Sequence, residues 1–436
     1  MDKTAVAEQP QASGPGGPLG ESARAGGSTP TAPDANGKSR RGRRRPPGPI
    51  GWAAFLAASW TWCIGMFLPV LMIRDYGVWG WFVFAVPNVL GAAAMGWVLR
   101  TADDSRAMQQ THLAACRWFS LVTLTFHFYF IVGPAVRVLG PAVIPAAFGA
   151  TLLMAFVYRL RERRMTVLAG AVLGVSVLAM FGLLALRGTP QLPPPGKERI
   201  ELLWLAPVTI FGFLLGPYLD LTFHRARQST SRAGGRTAFG LGFGVFFLLM
   251  IVFTAAYSPP LIQSLAEGIS LQRADESLAW VLMVHVALQT AFTVAAHAAE
   301  LGTEPSFSRW RGVIVALAIG LIAALLCLFQ WQFPAYRRLT TAEMIYRAFM
   351  AFYGLIFPGY AWLFIVPRWV RGVGRVPGPP PSRGQIIYFT AVMILAAPLY
   401  WMGFIEGRMV WLVPGLLLVM LSRFLLPKPP VPSTNP

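Results

Sequence analysis

Twelve long apolar stretches divide this sequence, and basic residues are concentrated in every second gap between them. The stretches run near residues 50–73, 77–99, 113–135, 138–158, 166–186, 200–222, 238–258, 278–300, 312–330, 342–366, 386–405 and 408–427. Each is close to the ~20 apolar residues that a helix needs to cross a lipid bilayer. The spacing therefore predicts an all-α integral membrane protein of about 12 transmembrane helices.

The distribution of Lys and Arg predicts the orientation of these helices. If the N-terminus lies in the cytoplasm, 26 of the 37 Lys and Arg residues fall in cytoplasmic segments and 9 in external ones. The other two, Arg117 and Arg347, lie well inside stretches, whereas Arg408 and Arg423, near the ends of the twelfth stretch, are counted with the adjoining external and cytoplasmic segments. Cytoplasmic loops of membrane proteins carry an excess of these residues. We therefore expect a multi-pass protein of the cell (inner) membrane with both termini cytoplasmic.

Composition divides the chain into three regions. Residues 1–48 are rich in Gly, Pro and Ser and poor in large apolar side chains, which predicts a disordered basic cytoplasmic tail. Residues 49–428 are expected to form one polytopic transmembrane domain, and 429–436 a short cytoplasmic tail. Within the domain we expect repeat one at about 50–186, repeat two at about 200–366, and accessory helices at 386–427.

The net charge of +19 favours lipid over nucleic acid as a partner. A nucleic-acid interface needs basic residues clustered on one face, whereas here they are spread over cytoplasmic gaps, where anionic headgroups attract them. Cys63, Cys116 and Cys327 lie within apolar stretches and show no disulfide or metal spacing. We expect membrane lipids and a small-molecule or ion substrate as partners, no nucleic acid and no cofactor, with the oligomeric state open.

Two stretches carry glycine and proline at positions that predict interrupted helices. The first contains Gly65 and Pro69, and the sixth contains Gly212, Gly216 and Pro217. Proline removes a backbone donor, and glycine relaxes the steric limits on the backbone. Within a membrane, freed backbone groups are tolerated only inside the protein or beside a water-filled cavity.

The two interruptions predict a five-plus-five inverted repeat. The segment 67–71 resembles the segment 215–219, and the two stretches run in opposite directions because five spans separate their starts. Transporters with inverted repeats bind substrate where such interruptions meet. The other interpretation is that prolines are simply common in membrane helices.

A longer segment resembles a known family. The stretch Phe211–Phe247 is similar to the sodium:solute symporters, in which a helix ends inward in a basic motif, followed by small residues and the next helix; here residues 224–228 (HRARQ) occupy that place. Trp81–Arg100 looks like a second core helix of the leucine-transporter-like (LeuT) fold of the APC superfamily. The sequence departs from the family in having His224 where glutamine is usual. The resemblance implies a cation-coupled symporter.

Candidate substrate-binding residues lie at or near the interruptions, with one histidine added. Those near the interruptions are Thr61, Gly65, Pro69, Asn88, Gly212, Gly216 and Tyr218. His127 lies mid-membrane, where an ionisable side chain is costly and therefore a functional candidate. With an ordinary pKa near ~6.5, histidine can carry a proton. It could equally bind substrate or simply bond to a neighbouring helix.

The eighth stretch is the candidate for cation coupling. His285, Gln289 and Thr293 are spaced by four residues and share one helix face. By the resemblance, hydroxyls of Thr290 and Thr293, beside Gln289, would join carbonyls of the first helix's break in a Na⁺ site. Thr on a membrane helix also commonly bonds its own backbone. Coupling to Na⁺ or to H⁺ through histidine therefore stays open, and no other metal is expected.

Charged residues near the membrane surfaces are candidates for a gate. Asp220 either pairs with Arg225 or Arg227 as an inner gate or lies among headgroups. Glu343 and Arg347 are four residues apart, which predicts an ion pair on one helix face.

These features favour a secondary active transporter that moves a small solute by alternating access, without catalytic residues. The alternatives are a membrane-embedded enzyme of lipid or glycan transfer and a transporter-shaped sensor. The one signal for the enzyme is Asp103-Asp104 with Arg106, and the one candidate output of a sensor is the tail. A major facilitator is less favoured because the loop RTADDSRAMQQTH lacks its glycines. Nothing in the sequence selects the substrate.

Overall fold

The computed structural model describes residues 47–158, 162–302, 307–329 and 339–426. The predicted tails lie almost entirely outside these ranges. Every regular element within the described ranges is helical. The first helices are α1 (Pro49–Trp60), α2 (Cys63–Val98), α3 (Ala102–Thr111), α4 (Leu113–Phe130), α5 (Val136–Leu139), α6 (Val143–Tyr158) and α7 (Glu162–Arg187).

The remaining helices are α8 to α19. They are α8 (Leu202–Leu215), α9 (Leu221–Gln228), α10 (Arg232–Leu241), α11 (Leu248–Glu267), α12 (Leu271–Ala274), α13 (Glu276–Leu301), α14 (Phe307–Leu328), α15 (Thr341–Ala351), α16 (Phe357–Tyr360), α17 (Val366–Val370), α18 (Arg383–Phe404) and α19 (Leu412–Ser422). Short π-helical turns join α4 to α5, α10 to α11, and α15 through α17 into longer rods.

Eight helices in the described ranges are long and apolar enough to cross a membrane. Three shorter apolar helices accompany them, at Val143–Val157, Ile314–Leu328 and Met409–Leu425. All twelve predicted stretches fall on helix, but the count of twelve spans is not confirmed. The first two stretches show why, because α2 extends through the predicted gap between them, with a kink at Gly77 (φ 65°, ψ −152°) at which two helices are joined.

The interruption in the first span was placed at the wrong residues. Gly65 and Pro69 were expected to break the helix, yet both lie within α2. The break is at Thr61 and Trp62, where Trp62 is extended (φ −82°, ψ 175°). Tyrosine hydroxyls bond carbonyls around Pro69: Tyr257 donates to Met66 O (2.5 Å) and Tyr346 to Cys63 O (3.2 Å). Proline leaves the carbonyl four residues before it, Gly65 O, without its helical donor, so these two bonds hold α2 against its neighbours without replacing the lost one.

The interruption in the sixth span lies where glycine and proline predicted it. After α8 the chain tightens into a 3₁₀ turn, Gly216–Leu219, and Asp220 is extended (φ −79°, ψ 114°) before α9 begins. Gly212 remains helical instead of loosening the chain. Because glycine has no side chain, Gly212 lets the sixth span approach the tenth span closely: a Cβ at this position would lie 2.7 Å from Tyr353 O.

Candidate functional site

The interruptions of the first and sixth spans meet in the interior. Thr222 Oγ1, in the first turn of α9, lies 3.2 Å from Ser59 Oγ in the last turn of α1. The same hydroxyl donates to Asp220 Oδ1 at 2.7 Å, and the Thr222 backbone N–H donates to that oxygen at 2.7 Å. Asp220 therefore caps α9, which satisfies one of the unpaired N–H groups at its start. All three side chains are buried.

A cavity of about 10 Å³ lies near this contact. Its lining is mostly aromatic or small: Trp60, Trp62, Ile64, Gly65, Asn88, Gly212, Phe213, Gly216 and Tyr353. Four predicted substrate-binding residues are in this lining, namely Gly65, Asn88, Gly212 and Gly216. The space holds about one water molecule, so binding of a solute here requires the surrounding helices to move apart.

The polar groups of the cavity are few and largely engaged. Trp60 Nε1 donates to Asn88 Oδ1 at 2.7 Å, which joins the end of α1 to the middle of α2. Thr61 Oγ1 donates to Ala57 O at 2.8 Å and so bonds its own helix. Tyr353 shares a hydrogen bond with Thr123 Oγ1 on α4 at 3.0 Å. The Asn88 amide is thus the main polar side chain that faces this space.

The other predicted substrate-binding residues lie away from the lining. Pro69 is buried inside α2, and the Tyr218 carbonyl accepts a hydrogen bond from His224 Nε2 at 3.0 Å. His127 donates from Nδ1 to Thr123 O (2.7 Å), and its ring lies 6.3 Å from that of Trp62. Its Nε2 has no hydrogen-bond partner among the described residues. Substrate roles for these residues stay predictions.

One of the two threonines of the Na⁺ hypothesis, Thr293 of α13, contacts the end of α1. Thr293 Oγ1 donates to Ala58 O at 3.3 Å. Thr290 Oγ1 is buried and has no hydrogen-bond partner among the described residues. Hydroxyl and carbonyl oxygens are hard, uncharged donors of the type that suits an alkali cation. These residues therefore fit a Na⁺ ion, with an unused hydroxyl one turn from the Ala58 contact.

Gln289 contacts a different helix. Its Nε2 donates to Ser176 Oγ on α7 at 3.0 Å, and His285 Nδ1 lies 2.9 Å from the same hydroxyl. The Gln289 side chain therefore joins α13 to α7, and its cation-coupling role stays a prediction.

The predicted gate residues have other contacts near the α9 helix. Arg225 Nε lies 3.9 Å from Glu300 Oε1, and Asp220 Oδ2 lies 3.9 Å from His297 Nε2. Arg227 donates to the carbonyls of Leu99 (2.7 Å) and Arg100 (2.6 Å) at the end of α2. Arg227 thus bonds the end of α2 and not Asp220. The gate formed by Asp220 and Arg225 stays a prediction.

A cluster of charged side chains, here called the outer ion cluster, lies at the opposite, predicted external end. It consists of Arg74, Asp75, Lys197, Glu343 and Arg347. Arg74 donates two hydrogen bonds to Glu343, both 2.8 Å, and one to Asp75 at 2.8 Å. Arg347 bonds Glu343 at 2.6 Å, which confirms the predicted pair, and Asp75 at 3.2 Å; Lys197 lies 3.5 Å from Asp75. Spans one and ten are thereby joined.

A second cavity lies next to the outer ion cluster. Its volume is about 80 Å³, and its lining includes Asp75 and Arg347 of the cluster. Gly212, Phe213 and Tyr353 line both cavities. Both cavities therefore border on the same three residues.

Sequence reasoning missed several of these residues. Ser59, Thr222 and Tyr353 are ordinary residues for a membrane helix, and only their neighbours in space distinguish them. Trp60 was expected to serve in packing, whereas its indole N–H bonds Asn88. Asp220 carried a usable signal, because Asp followed by a threonine two residues later is typical of a helix start.

Comparison with family models and with curated proteins found no match. The fold itself is similar to solved membrane transporters. A Na⁺-coupled sialic acid symporter in a substrate-bound outward-open state matches with a TM-score of 0.50 at 16% identity, over 88% of this chain and 90% of that one. Mhp1, a nucleobase-cation-symport-1 family transporter, matches with a TM-score of 0.39 at 15% identity, over 86% and 91%. By the first likeness, the chain is an all-helical multi-pass membrane protein of leucine-transporter-like fold.

Proposed function

We propose that this chain is a cation-coupled secondary transporter that moves a small solute by alternating access. The observation that carries the proposal is the contact of two interrupted spans, Ser59 against Thr222, beside an internal cavity. Transporters of inverted-repeat architecture bind substrate where interrupted helices meet and rock one bundle against the other around that site. The proposal is supported by the two interruptions, by the cavity and by the outer ion cluster at one end.

The cavity lining favours an uncharged solute with an apolar or planar part. Trp60, Trp62, Phe213 and Tyr353 supply aromatic surface, and Asn88 supplies an amide. None of the lining residues is Asp, Glu, Lys or Arg. Because a buried charge needs a partner, a charged solute would be poorly accommodated there.

Na⁺ is the coupling ion that we propose at Thr290, Thr293 and the Ala58 carbonyl. Binding of ²²Na⁺ to the purified full-length protein tests it. Thr290→Val with Thr293→Val removes both hydroxyls at nearly constant volume. We expect at least about a tenfold loss of affinity, since a lost polar contact in a buried site costs ~1–3 kcal/mol.

The control is Thr125→Val, which removes a hydroxyl that bonds its own helix at Leu121 O (2.9 Å). Unchanged ²²Na⁺ affinity in the double variant would refute the Na⁺ site.

Transport itself is tested in proteoliposomes with an imposed Na⁺ or proton gradient. Uncharged aromatic and heterocyclic solutes are offered one at a time, and solute-dependent currents or uptake are recorded. We expect gradient-dependent uptake of at least one solute, abolished by Gly216→Leu, because Gly216 lines the cavity and a side chain there meets open space. Absence of uptake with every solute in a folded preparation would count against transport and favour the sensor.

The enzyme alternative has little support in the described residues. Asp103 forms an exposed ion pair with Arg106 (3.2 Å) in α3, which Thr101 and Asp104 cap. No group of three or more His, Cys, Asp and Glu side chains in these ranges could hold a metal ion. The Asp103-Asp104 pair therefore reads as the start of a short surface helix.

A further inference from the structure

A buried carboxylate and a buried imidazole lie side by side where the sixth-span interruption meets α13. Asp220 and His297 are both 0% exposed. Asp220 Oδ2 is 3.9 Å from His297 Nε2, and neither atom has a hydrogen-bond partner among the described residues. An approach of about 1 Å would bring the two atoms within hydrogen-bond distance. The hydrogen bond between Asp220 Oδ2 and His297 Nε2 is thus not formed.

The remaining polar atoms of both side chains are engaged elsewhere. Asp220 Oδ1 accepts two hydrogen bonds from Thr222, both 2.7 Å. His297 Nδ1 lies 3.0 Å from Ser120 Oγ on α4. A serine hydroxyl both donates and accepts, so Ser120 accommodates either tautomer of the imidazole. The geometry leaves only Oδ2 and Nε2 to exchange a proton.

The pair has two charge states. When Asp220 is ionised and His297 is neutral, the proton of the imidazole can lie on Nε2 and face Oδ2, while Nδ1 accepts from Ser120, and the pair carries one negative charge. One further proton makes the pair neutral, either as a carboxylic acid beside a neutral imidazole or as a carboxylate beside an imidazolium. The pair therefore changes between an anionic form with one proton and a neutral form with two.

Other titratable groups surround the pair on every packed helix. They are Glu300 on α13, Arg225 and His224 on α9, Cys116 and His127 on α4, and Tyr353 on the tenth span. Glu300 and Arg225 carry opposite charges and lie against each other. The Arg225 side chain is 37% exposed, and Glu300 is three residues beyond His297 toward the predicted cytoplasmic end of α13. Glu300 and Arg225 are thus the charged groups on the predicted cytoplasmic side of the pair.

The pair also contacts both interruptions. Through Thr222, Asp220 reaches Ser59 of α1 at 3.2 Å. The His297 ring lies 5.8 Å from the ring of Trp62, which lines the cavity. A change of charge at the pair therefore changes the electrostatic potential at the proposed transport site.

We propose that Asp220 and His297 form a proton-binding pair, a second coupling site distinct from the Na⁺ candidate. A proton from cytoplasmic water binds the pair and makes it neutral; its release to water leaves the pair with one negative charge. The use of this proton in a transport cycle rests on the proposed function, whereas proton binding does not.

Difference potentiometric titration of the full-length protein in nanodiscs tests the pair. Between about pH 5 and 8, wild type should take up one proton more than Asp220→Asn. Asparagine still caps a helix through its side-chain oxygen, so α9 is preserved. In His297→Gln the midpoint of this uptake should move by at least about one pH unit, as expected for strongly coupled groups.

Glu300→Gln serves as the matched control, because it removes a nearby carboxylate outside the pair and should leave the Asp220-dependent proton in place. Equal proton uptake by wild type and Asp220→Asn would overturn the proposal. So would an unchanged midpoint in His297→Gln, which can be measured even if Asp220→Asn fails to fold.

Binding of ²²Na⁺ to the same preparations separates the two sites. An Asp220-dependent proton in a protein that does not bind Na⁺ supports the pair and rejects the Na⁺ site. Na⁺ binding without that proton rejects the pair and leaves the Na⁺ site intact.

Discussion

Single buried hydrogen bonds hold the first-span break in place. Thr61 and Trp62 include neither glycine nor proline, so the break depends on side chains around it. Trp60 Nε1 donates to Asn88 Oδ1, and the indole N–H of Trp62 donates to Ser59 O. Both indole rings are buried. At the residue scale, the indole N–H groups of Trp60 and Trp62 thus stabilise the interruption of the helix that was expected at glycine and proline.

Asn88→Ala should lower the free energy of unfolding by ~1–3 kcal/mol, because it leaves the Trp60 N–H buried without a partner. Trp60→Phe removes the donor instead. In a double-mutant cycle with both changes, the losses should be less than additive. Unfolding in nanodiscs by denaturant measures all four proteins. Strictly additive losses would show that the bond contributes nothing.

An ion pair at the predicted external surface supplies a pH test. The Arg187 guanidinium donates hydrogen bonds to Asp275 and holds the pKa of that carboxyl at about 2, below its ordinary 3.8. A lowered pKa stabilises the folded protein fully above pH 3.8, and this contribution is lost as the pH falls toward 2. Asp275 also caps α13 at Leu278 N.

Arg187→Met should therefore lower the thermal midpoint by an amount that is constant above about pH 5 and shrinks between pH 3.8 and 2. The exposed Arg199→Met is the control, and its effect should not follow that curve. A pH-independent difference for Arg187→Met would contradict the assignment.

Close helix packing at glycine positions the interrupted spans at the scale of elements. A Cβ at Gly91 of α2 would lie 2.1 Å from Phe213 O of α8, and one at Gly96 would lie 2.6 Å from Phe239 Cβ of α10. Small residues let membrane helices approach closely. The close packing of α2 against α8 and α10 therefore depends on the lack of a side chain at Gly91 and Gly96.

Gly91→Ala should destabilise the protein by at least ~1–3 kcal/mol, because the added methyl group forces the α2 and α8 backbones apart. Gly174→Ala in α7 meets open space and should stabilise slightly, since alanine favours helix over glycine by ~0.5–1 kcal/mol. Thermal midpoints in the same nanodiscs compare them. Equal shifts of both variants would refute the packing argument.

At the scale of the whole molecule, polar contacts join helices at two opposite ends. The outer ion cluster joins spans one and ten. At the other end α3 contacts α9, where Ser105 Oγ lies 2.8 Å from His224 Nδ1 and Gln228 donates to Gln109 Oε1 at 2.6 Å. Under the alternating access that we propose, these two sets of contacts open in turn.

Glu343→Gln should open the predicted external closure, because it removes the charge that both arginines contact. Thr209→Cys, in the wall of the larger cavity, reports this through its reaction with a membrane-impermeant thiol reagent. We expect labelling about tenfold faster, the effect of ~1.4 kcal/mol. The exposed Glu198→Gln should leave the rate unchanged. An unchanged rate in Glu343→Gln would show that the cluster does not close this path.

Local features of the chain were predictable to the extent that local physics fixes them. The apolar stretches fall on helices, the Glu343 and Arg347 pair forms, and the sixth span breaks at Gly216. The first break lies at Thr61 and Trp62, while α2 continues through Gly65 and Pro69. Proline predicts a missing donor, and only the surrounding helices decide whether that loss breaks the helix.

The sequence by itself determined that this protein is helical and lies in a membrane, because hydrophobicity and charge act over about twenty consecutive residues. Only the tertiary structure decided which polar atoms meet. Ser59 and Thr222 are 163 residues apart and Arg74 and Glu343 are 269 apart. Such contacts depend on how whole helices pack, and a buried polar atom is satisfied or left unpaired by neighbours that no local pattern identifies. The pairing of Asp220 with His297 belongs to this second kind.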